Sequence, residues 1–561
     1  MIVHADSIAP DARLRADVCI VGGGAAGIAT ALSLTGKGLS IIVLESGGLR
    51  IDAATQALGE GQVADEQLHS PPHRYRQRGL GGSTAIWGGR CMPLDPIDFE
   101  TRDYVPDSGW PIGYADLLPY YPAANALAEA GRFSYDAREA LPDSAPLIAG
   151  FASDIVRTDG LERFSCPTHF GRRYQQRLAV APDIRVLLGA NCTAIRLDPA
   201  ATTVREVDVS TLGGKRFRVA ARTVVLAAGG LETARLLLCS TDVEPRGVGN
   251  RFDVVGRYYM CHIAGNVGTL TVRGGSQAVR HGYEVAADGI YCRRRIAITA
   301  AGQRRHGLLN TVARLHFPKI TDPSHRNGVL SGLFLSRSLI SYEYGKRLQD
   351  AAPTTAGTYA RHLLNVAGDP IDTAAFLAHW LRRRTLAERK FPSVILRNRS
   401  NRFSLEVQGE QQPLASSRVR LGDKVDALGM RQLHVDWRYS QDDIRSVQRT
   451  LDIVAAELGR SGAGEFTYSK ETLEEDLMRY GAYGGHHIGT ARMGSDPRTS
   501  VVDADCRVHS VDNLFVAGSA AFPTSSQANP TLTLIALSLR LADCLAHRLQ
   551  ARTPAAAELV A

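Results

Sequence analysis

Two segments near the end of this 561-residue chain set a histidine and an asparagine on either side of a short strand. The first is His486-His487-Ile488-Gly489-Thr490-Ala491-Arg492-Met493-Gly494, and the second is Ala528-Asn529-Pro530-Thr531-Leu532-Thr533. Between them Asn513-Leu514-Phe515-Val516-Ala517-Gly518 reads as a strand closed by glycine. Imidazole titrates near neutral pH and suits proton transfer. A carboxamide accepts and donates hydrogen bonds without competing for that proton. The pair suits taking a proton from a bound hydroxyl whose oxygen the carboxamide holds. Asn529 also precedes Pro530 at a helix start, so N-capping is its alternative job. No GxSxG elbow and no HExxH appears in the sequence. Carboxylate pairs such as Asp442-Asp443 and Glu474-Glu475 read as solvated helix faces.

A cofactor site is written near the other terminus. The apolar run Asp17–Val21 ends in Gly22-Gly23-Gly24-Ala25-Ala26-Gly27, and Ala25 to Leu34 has helical composition. Ser40–Leu44 is a second strand-like run, closed by Glu45 and Ser46. Strand, glycine turn, helix and strand within about thirty residues is the context of a dinucleotide fold. Gly22 permits the tight turn, Gly24 the approach of a pyrophosphate, and Gly27 the packing of helix on strand. The phosphates meet free N–H groups and the positive end of the helix where Ala25 and Ala26 open it. Glu45 accepts from ribose hydroxyls and repels a 2′-phosphate.

Three later segments narrow the cofactor. Arg78-Gly79-Leu80-Gly81-Gly82-Ser83-Thr84-Ala85-Ile86-Trp87-Gly88-Gly89 is rich in small residues, Ala227-Ala228-Gly229-Gly230-Leu231-Glu232 is a second glycine turn after a buried strand, and Gly518 closes the late strand. In this order, and with the His486 and Asn529 segments, the chain resembles the glucose–methanol–choline (GMC) oxidoreductases. The resemblance implies FAD, contacted by Gly81, Gly82, Ser83, Thr84, Trp87, Gly88, Cys192, Ala228, Gly229, Gly518, Ser519, Asn529, Pro530 and Thr531. It implies His486 as catalytic base, three residues before Gly489, and Asn529 at the second catalytic position. His487 is left as a packing residue, because neighbours on an extended segment point to opposite sides. His262 stays outside the catalytic set as an isolated, structural histidine. The C-terminal runs look most like the pyranose oxidase branch. Some of its members tether FAD through a histidine in Ser-Thr-His-Trp; here Ile86 stands in Thr84-Ala85-Ile86-Trp87, so non-covalent FAD is expected.

The expected fold class is α/β: a Rossmann-like FAD-binding domain with an inserted α+β substrate-binding domain. FAD-binding parts are expected at 1–115, 184–262 and 480–552, a connecting segment at 116–183, the substrate domain at 263–479 and a loose tail at 553–561. Trp110 to Ala130 is expected to be helical, and 355–392 to be a helical excursion carrying Arg382-Arg383-Arg384. The implied activity is oxidation of an alcohol on a sugar, glycoside or cyclitol, with oxygen or another acceptor reoxidising the flavin. The alternatives are a redox-neutral lyase on the same fold and a peripheral membrane dehydrogenase docking through Arg382–Arg384.

Composition bounds the rest. Apolar residues are 44% and charged residues 22%, ordinary for a globular protein. The net charge of +8 is spread and no nucleic-acid motif accompanies it, so nucleic acid is not an expected partner. The nine cysteines form no CxxC, which argues against a metal. The first sixteen residues carry Asp6, Asp11, Arg13 and Arg15 without an apolar core, so the cytoplasm is the expected compartment. No apolar run approaches the length of a membrane span.

Overall fold

The structure is a computed structural model that describes residues 1–551 apart from 144, 276–277, 319, 338–354, 394–395, 397–400 and 483–484. The expected tail at 553–561 lies outside the described residues. An eight-stranded sheet is built around Arg13–Val21. This strand runs parallel to Ile41–Glu45 on one side and to Arg216–Leu226 on the other. Ile41–Glu45 continues, again in parallel, to Ile184–Leu188 and then Ile2–His4. Beyond Arg216–Leu226 the antiparallel strands Val204–Ser210 and Asn191–Leu197 follow, while its last residues pair in parallel with Leu514–Val516. Val18, Cys19, Ile20, Val224, Val225 and Leu226 have no exposed surface. Continuous apolar runs of this kind belong to a parallel sheet covered on both faces. The helix Ala25–Leu34 packs against the long C-terminal helix Thr531–Ala551, so both chain ends meet above one sheet.

A second, six-stranded sheet is ordered Gly464–Thr467, His262–Val272, Arg402–Glu410, Thr311–His316, Ile296–Ile298 and Val156–Arg157. Helix Gln441–Ser461 lays Ile444, Val447, Leu451 and Val454 into the same core. Its start corrects one expectation. Asp443 is buried: with Ser440 it forms a capping box, each side chain accepting from the other residue's N–H, and it accepts from Gln412 N at 2.7 Å. The stretch 110–130 is also more broken than composition suggests. It folds as Tyr114–Leu117, a 3₁₀ turn at Leu118–Tyr120 and Tyr121–Leu127, with Pro119 and Pro122 at the joints. The excursion consists of helices Ala356–Gly368 and Pro370–Trp380 and a π turn Leu381–Thr385 that carries the three arginines. Among the described residues no helix is long and apolar enough to cross a membrane.

Candidate active site

One cavity of about 720 Å³ runs from the first glycine turn to the second sheet. That size suits a cofactor and the reacting part of a substrate. Its lining includes Gly22, Gly24, Ala25, Ala26, Glu45, Ser46, Gly82, Ser83, Thr84, Trp87, Gly88, Cys192, Ala228, Gly229, His486, Gly518, Ser519, Asn529, Pro530 and Thr531. Residues some five hundred positions apart in sequence therefore face one space.

Gly27 and Gly81 do not line it, and sterics explain why. A Cβ on Gly27 would strike the Gly22 carbonyl, and one on Gly81 would strike Gly171 N. Both glycines serve close packing behind the wall. Gly22 itself has φ 110°, and a Cβ there would lie 2.5 Å from the Ala227 carbonyl oxygen. Gly81 N donates to Gly23 O at 2.8 Å, which ties the small-residue segment to the first turn.

Glu45 is already partly engaged. Its carboxylate accepts from Gly23 N and Gly47 N, each at 2.8 Å. Burial pushes its pKa up, and these N–H donors offset part of the rise. The lone pairs left over face a cavity that also holds Ser46 and Cys192. Arg76 and Arg78, each 2.7 Å from Glu232, form an ion cluster in the same wall that sequence reading missed. Burial alone would raise Glu232, but Arg78, Arg76 and Arg235 outweigh it and hold its carboxylate low.

The His486 segment is stitched to the second glycine turn and to the residues that follow Gly518. Gly489 N donates to Ser519 O at 3.1 Å, Ala491 N to Ala520 O at 2.9 Å, and Thr490 Oγ1 to Gly230 O at 2.5 Å. His486 lines the cavity, and burial, with the Arg90 cation adding to it, brings its pKa down to about 3. The imidazole is therefore neutral at ordinary pH. His262, fully buried on the second sheet, packs edge-on against His486 at 4.8 Å between ring centres and does not line the cavity. His487 also borders the cavity, but its ring packs with Tyr259 and His69 and its carbonyl accepts from Ser519 Oγ at 2.9 Å.

Asn529 does not rest on a capping bond to its helix among the described contacts. Its Oδ1 accepts from Gln408 Nε2 at 3.1 Å. The loop before it is anchored from below. Ser526, held at φ 55°, donates through Oγ to Asp98 Oδ2 at 2.6 Å. Burial, Glu410 and Asp95 push Asp98 up to about 7. Arg90, Gln408 and Asp98 carry no motif; they are marked only by their bonds, Gln408 to Asn529, Arg90 to Gln408 and Asp98 to Ser526 in the loop before Asn529. The outer cavity is walled by His316, Phe317, Asn327, Asp369 and Asp372, the last two from the excursion.

The glycine cradle, the helix N-terminus and the carboxylate at the strand end fit an ADP-containing dinucleotide. Comparison with known proteins names it. Residues 17–307 match the family described as FAD dependent oxidoreductase, and residues 413–538 match GMC oxidoreductase. The chain belongs to the GMC oxidoreductase family. It is an FAD-dependent enzyme acting on CH–OH groups. Paromamine 6′-oxidase of Streptomyces fradiae is 25% identical, the match covering 96% of this chain and 92% of that one. 6‴-Hydroxyparomomycin C oxidase of Streptomyces lividus is 27% identical over 98% of this chain and 94% of its own. Among solved structures, pyridoxine 4-oxidase from Mesorbium loti shares the fold, with TM-score 0.54, 18% identity and coverage of 95% and 99%.

Proposed function

We propose that this GMC enzyme oxidises a hydroxyl of a sugar-like polyol, most specifically a glycoside or aminocyclitol glycoside, with His486 as base and Asn529 as its partner. Support for the substrate class comes from paromamine 6′-oxidase and 6‴-hydroxyparomomycin C oxidase, which match nearly the full chain. One observation carries the residue roles: a neutral imidazole and a carboxamide line the cavity that begins at the glycine cradle. Bound FAD supplies the hydride acceptor. The protein's own part is to orient the carbinol and to take the hydroxyl proton onto His486 as the carbonyl forms. Ile86 in place of a tethering histidine supports non-covalent FAD. Residues 1–115, 184–262 and 480–552 serve the cofactor in this reading, and 263–479 the substrate. Oxygen or another acceptor completes the cycle, and the cytoplasm is the compartment.

The test is anaerobic mixing with a panel of sugars, glycosides and aminocyclitols, followed at the flavin absorbance. Bleaching by an alcohol supports oxidation and argues against a redox-neutral lyase. His486→Ala is expected to slow bleaching by roughly 10²–10⁴-fold with FAD still bound. Unchanged bleaching in His486→Ala, with loss in His487→Ala, would move the base to the neighbouring residue.

A further inference from the structure

The Arg402–Glu410 strand of the second sheet delivers Gln408, 1% exposed, to the loop that carries Asn529. Gln408 Oε1 accepts from Arg90 Nη1 at 3.2 Å. Its Nε2 donates to the Gln527 carbonyl at 2.8 Å and to Asn529 Oδ1 at 3.1 Å. Carboxamide oxygen and nitrogen are told apart only by their partners. Here the partners leave no choice. A guanidinium only donates, and a main-chain carbonyl only accepts. Turning the Gln408 amide over would set N–H against N–H at Arg90 and oxygen against oxygen at Gln527. With Gln408 Nε2 fixed as donor, the atom of Asn529 facing it must be the acceptor Oδ1. The amino end of Asn529 is the end that Gln408 leaves to the cavity. Arg90 is itself anchored, with Nε 3.6 Å from Glu162, a fully buried carboxylate that also pairs with Arg314.

We propose that Gln408, oriented by Arg90, is a positioning residue that makes Asn529 a hydrogen-bond donor toward the carbinol oxygen. The proposal rests on the reading of Asn529 as catalytic partner. As the O–H proton passes to His486, negative charge grows on that oxygen, and the C–H hydride leaves for the flavin as the carbonyl forms. A placed N–H stabilises the growing charge, whereas a carbonyl oxygen in the same place would repel it. The imidazole and the two carboxamides thus divide the labour: His486 accepts, Asn529 donates, and Gln408 prevents the exchange.

The test uses FAD-loaded full-length enzyme and anaerobic stopped-flow reduction with D-glucose, methyl α-glucoside or paromamine, whichever reduces the wild type fastest. Asn529→Asp keeps the shape and the acceptor but removes the donor, and is expected to cost about 10²-fold in reduction rate. Gln408→Glu keeps the acceptor for Arg90 but cannot donate to Asn529, and is expected to cost about 10-fold. In an Asn529→Ala background the same Gln408→Glu change is expected to cost less than about 2-fold, since its target is gone. Gln408→Met, of similar length, repeats the cycle if the buried carboxylate prevents folding. A wild-type rate in Asn529→Asp overturns the donor assignment. An undiminished Gln408 effect in the Asn529→Ala background overturns positioning while leaving Asn529 in the site. A wild-type rate in Asn529→Ala would instead remove the reading on which the proposal rests.

Discussion

The glycine cradle and the helical excursion at 356–386 are built on opposite terms. In the cradle, main-chain atoms touch main-chain atoms: Gly27 lies against Gly22 O, Gly22 against Ala227 O, and Gly81 N bonds Gly23 O. In the excursion, apolar side chains meet water. Leu364 is 70% exposed, Ile371 81% and Leu386 74%. His362 is its one buried polar anchor among the described residues, bonded to Ser331 Oγ at 3.0 Å. The cradle proposed to hold the cofactor is set by backbone geometry, which leaves no room for a side chain at Gly22 or Gly27. In the outer wall a side chain makes the tie, the Asp369 carboxylate accepting from Gly328 N at 2.9 Å. Position-specific constraint therefore belongs to the first region and compositional latitude to the second.

Mutations break this comparison most sharply where backbone meets backbone. Gly27→Ala places a methyl on the Gly22 carbonyl, and an expected loss of about 1–3 kcal/mol in stability accompanies loss of bound FAD. Denaturant unfolding and the flavin-to-protein absorbance ratio measure both. Normal FAD content in Gly27→Ala would show that the cradle yields as easily as the excursion.

A smaller effect separates the proposed base, His486, from solvent-exposed histidines. In the proposed mechanism neutral imidazole is the active form, so activity is expected to be full above its pKa in the folded enzyme and to fall only as pH drops through it. With His486 brought down to about 3, the acid limb of the reduction rate should lie well below the usual imidazole value of about 6.5. Reduction rates between pH 4 and 8 on FAD-loaded enzyme test this. An inflection near 6.5 that vanishes in His486→Ala would show the imidazole to be solvated.

The smallest effect is expected in the excursion. Ile371→Ser and Leu364→Ser remove exposed apolar surface, and stability should change by no more than about 0.5 kcal/mol. Thermal unfolding reads the difference; a loss several times larger would mean that a partner or another part of the chain covers these side chains.

Much of the cradle was legible because its chemistry is local. The turn at Gly22–Gly27 needs small residues at fixed spacings, and Glu45 must end the next strand, so the pattern survives in one dimension. The role of Gly81 was only half legible: smallness was visible, but not whether it served a ligand or a neighbouring turn, whereas Gly27 was read as packing and lies against the Gly22 carbonyl. Asp443 misled because its paired carboxylates look solvated in sequence, whereas a capping box draws one of them inward. Arg90, Gln408 and Asp98 left no trace, since hydrogen bonds between carboxamide, guanidinium and carboxylate impose no spacing along the chain.

By itself, then, the order of residues determined a dinucleotide cradle, the histidine and asparagine beyond it, and the family to which they belong, because each depends on neighbours a few positions away. Tertiary structure alone decided which wall each group joins, how far the imidazole is removed from water, and which end of the Asn529 amide faces Gln408. Those properties arise from desolvation and from partners hundreds of residues distant, and neither is encoded in any short stretch of sequence.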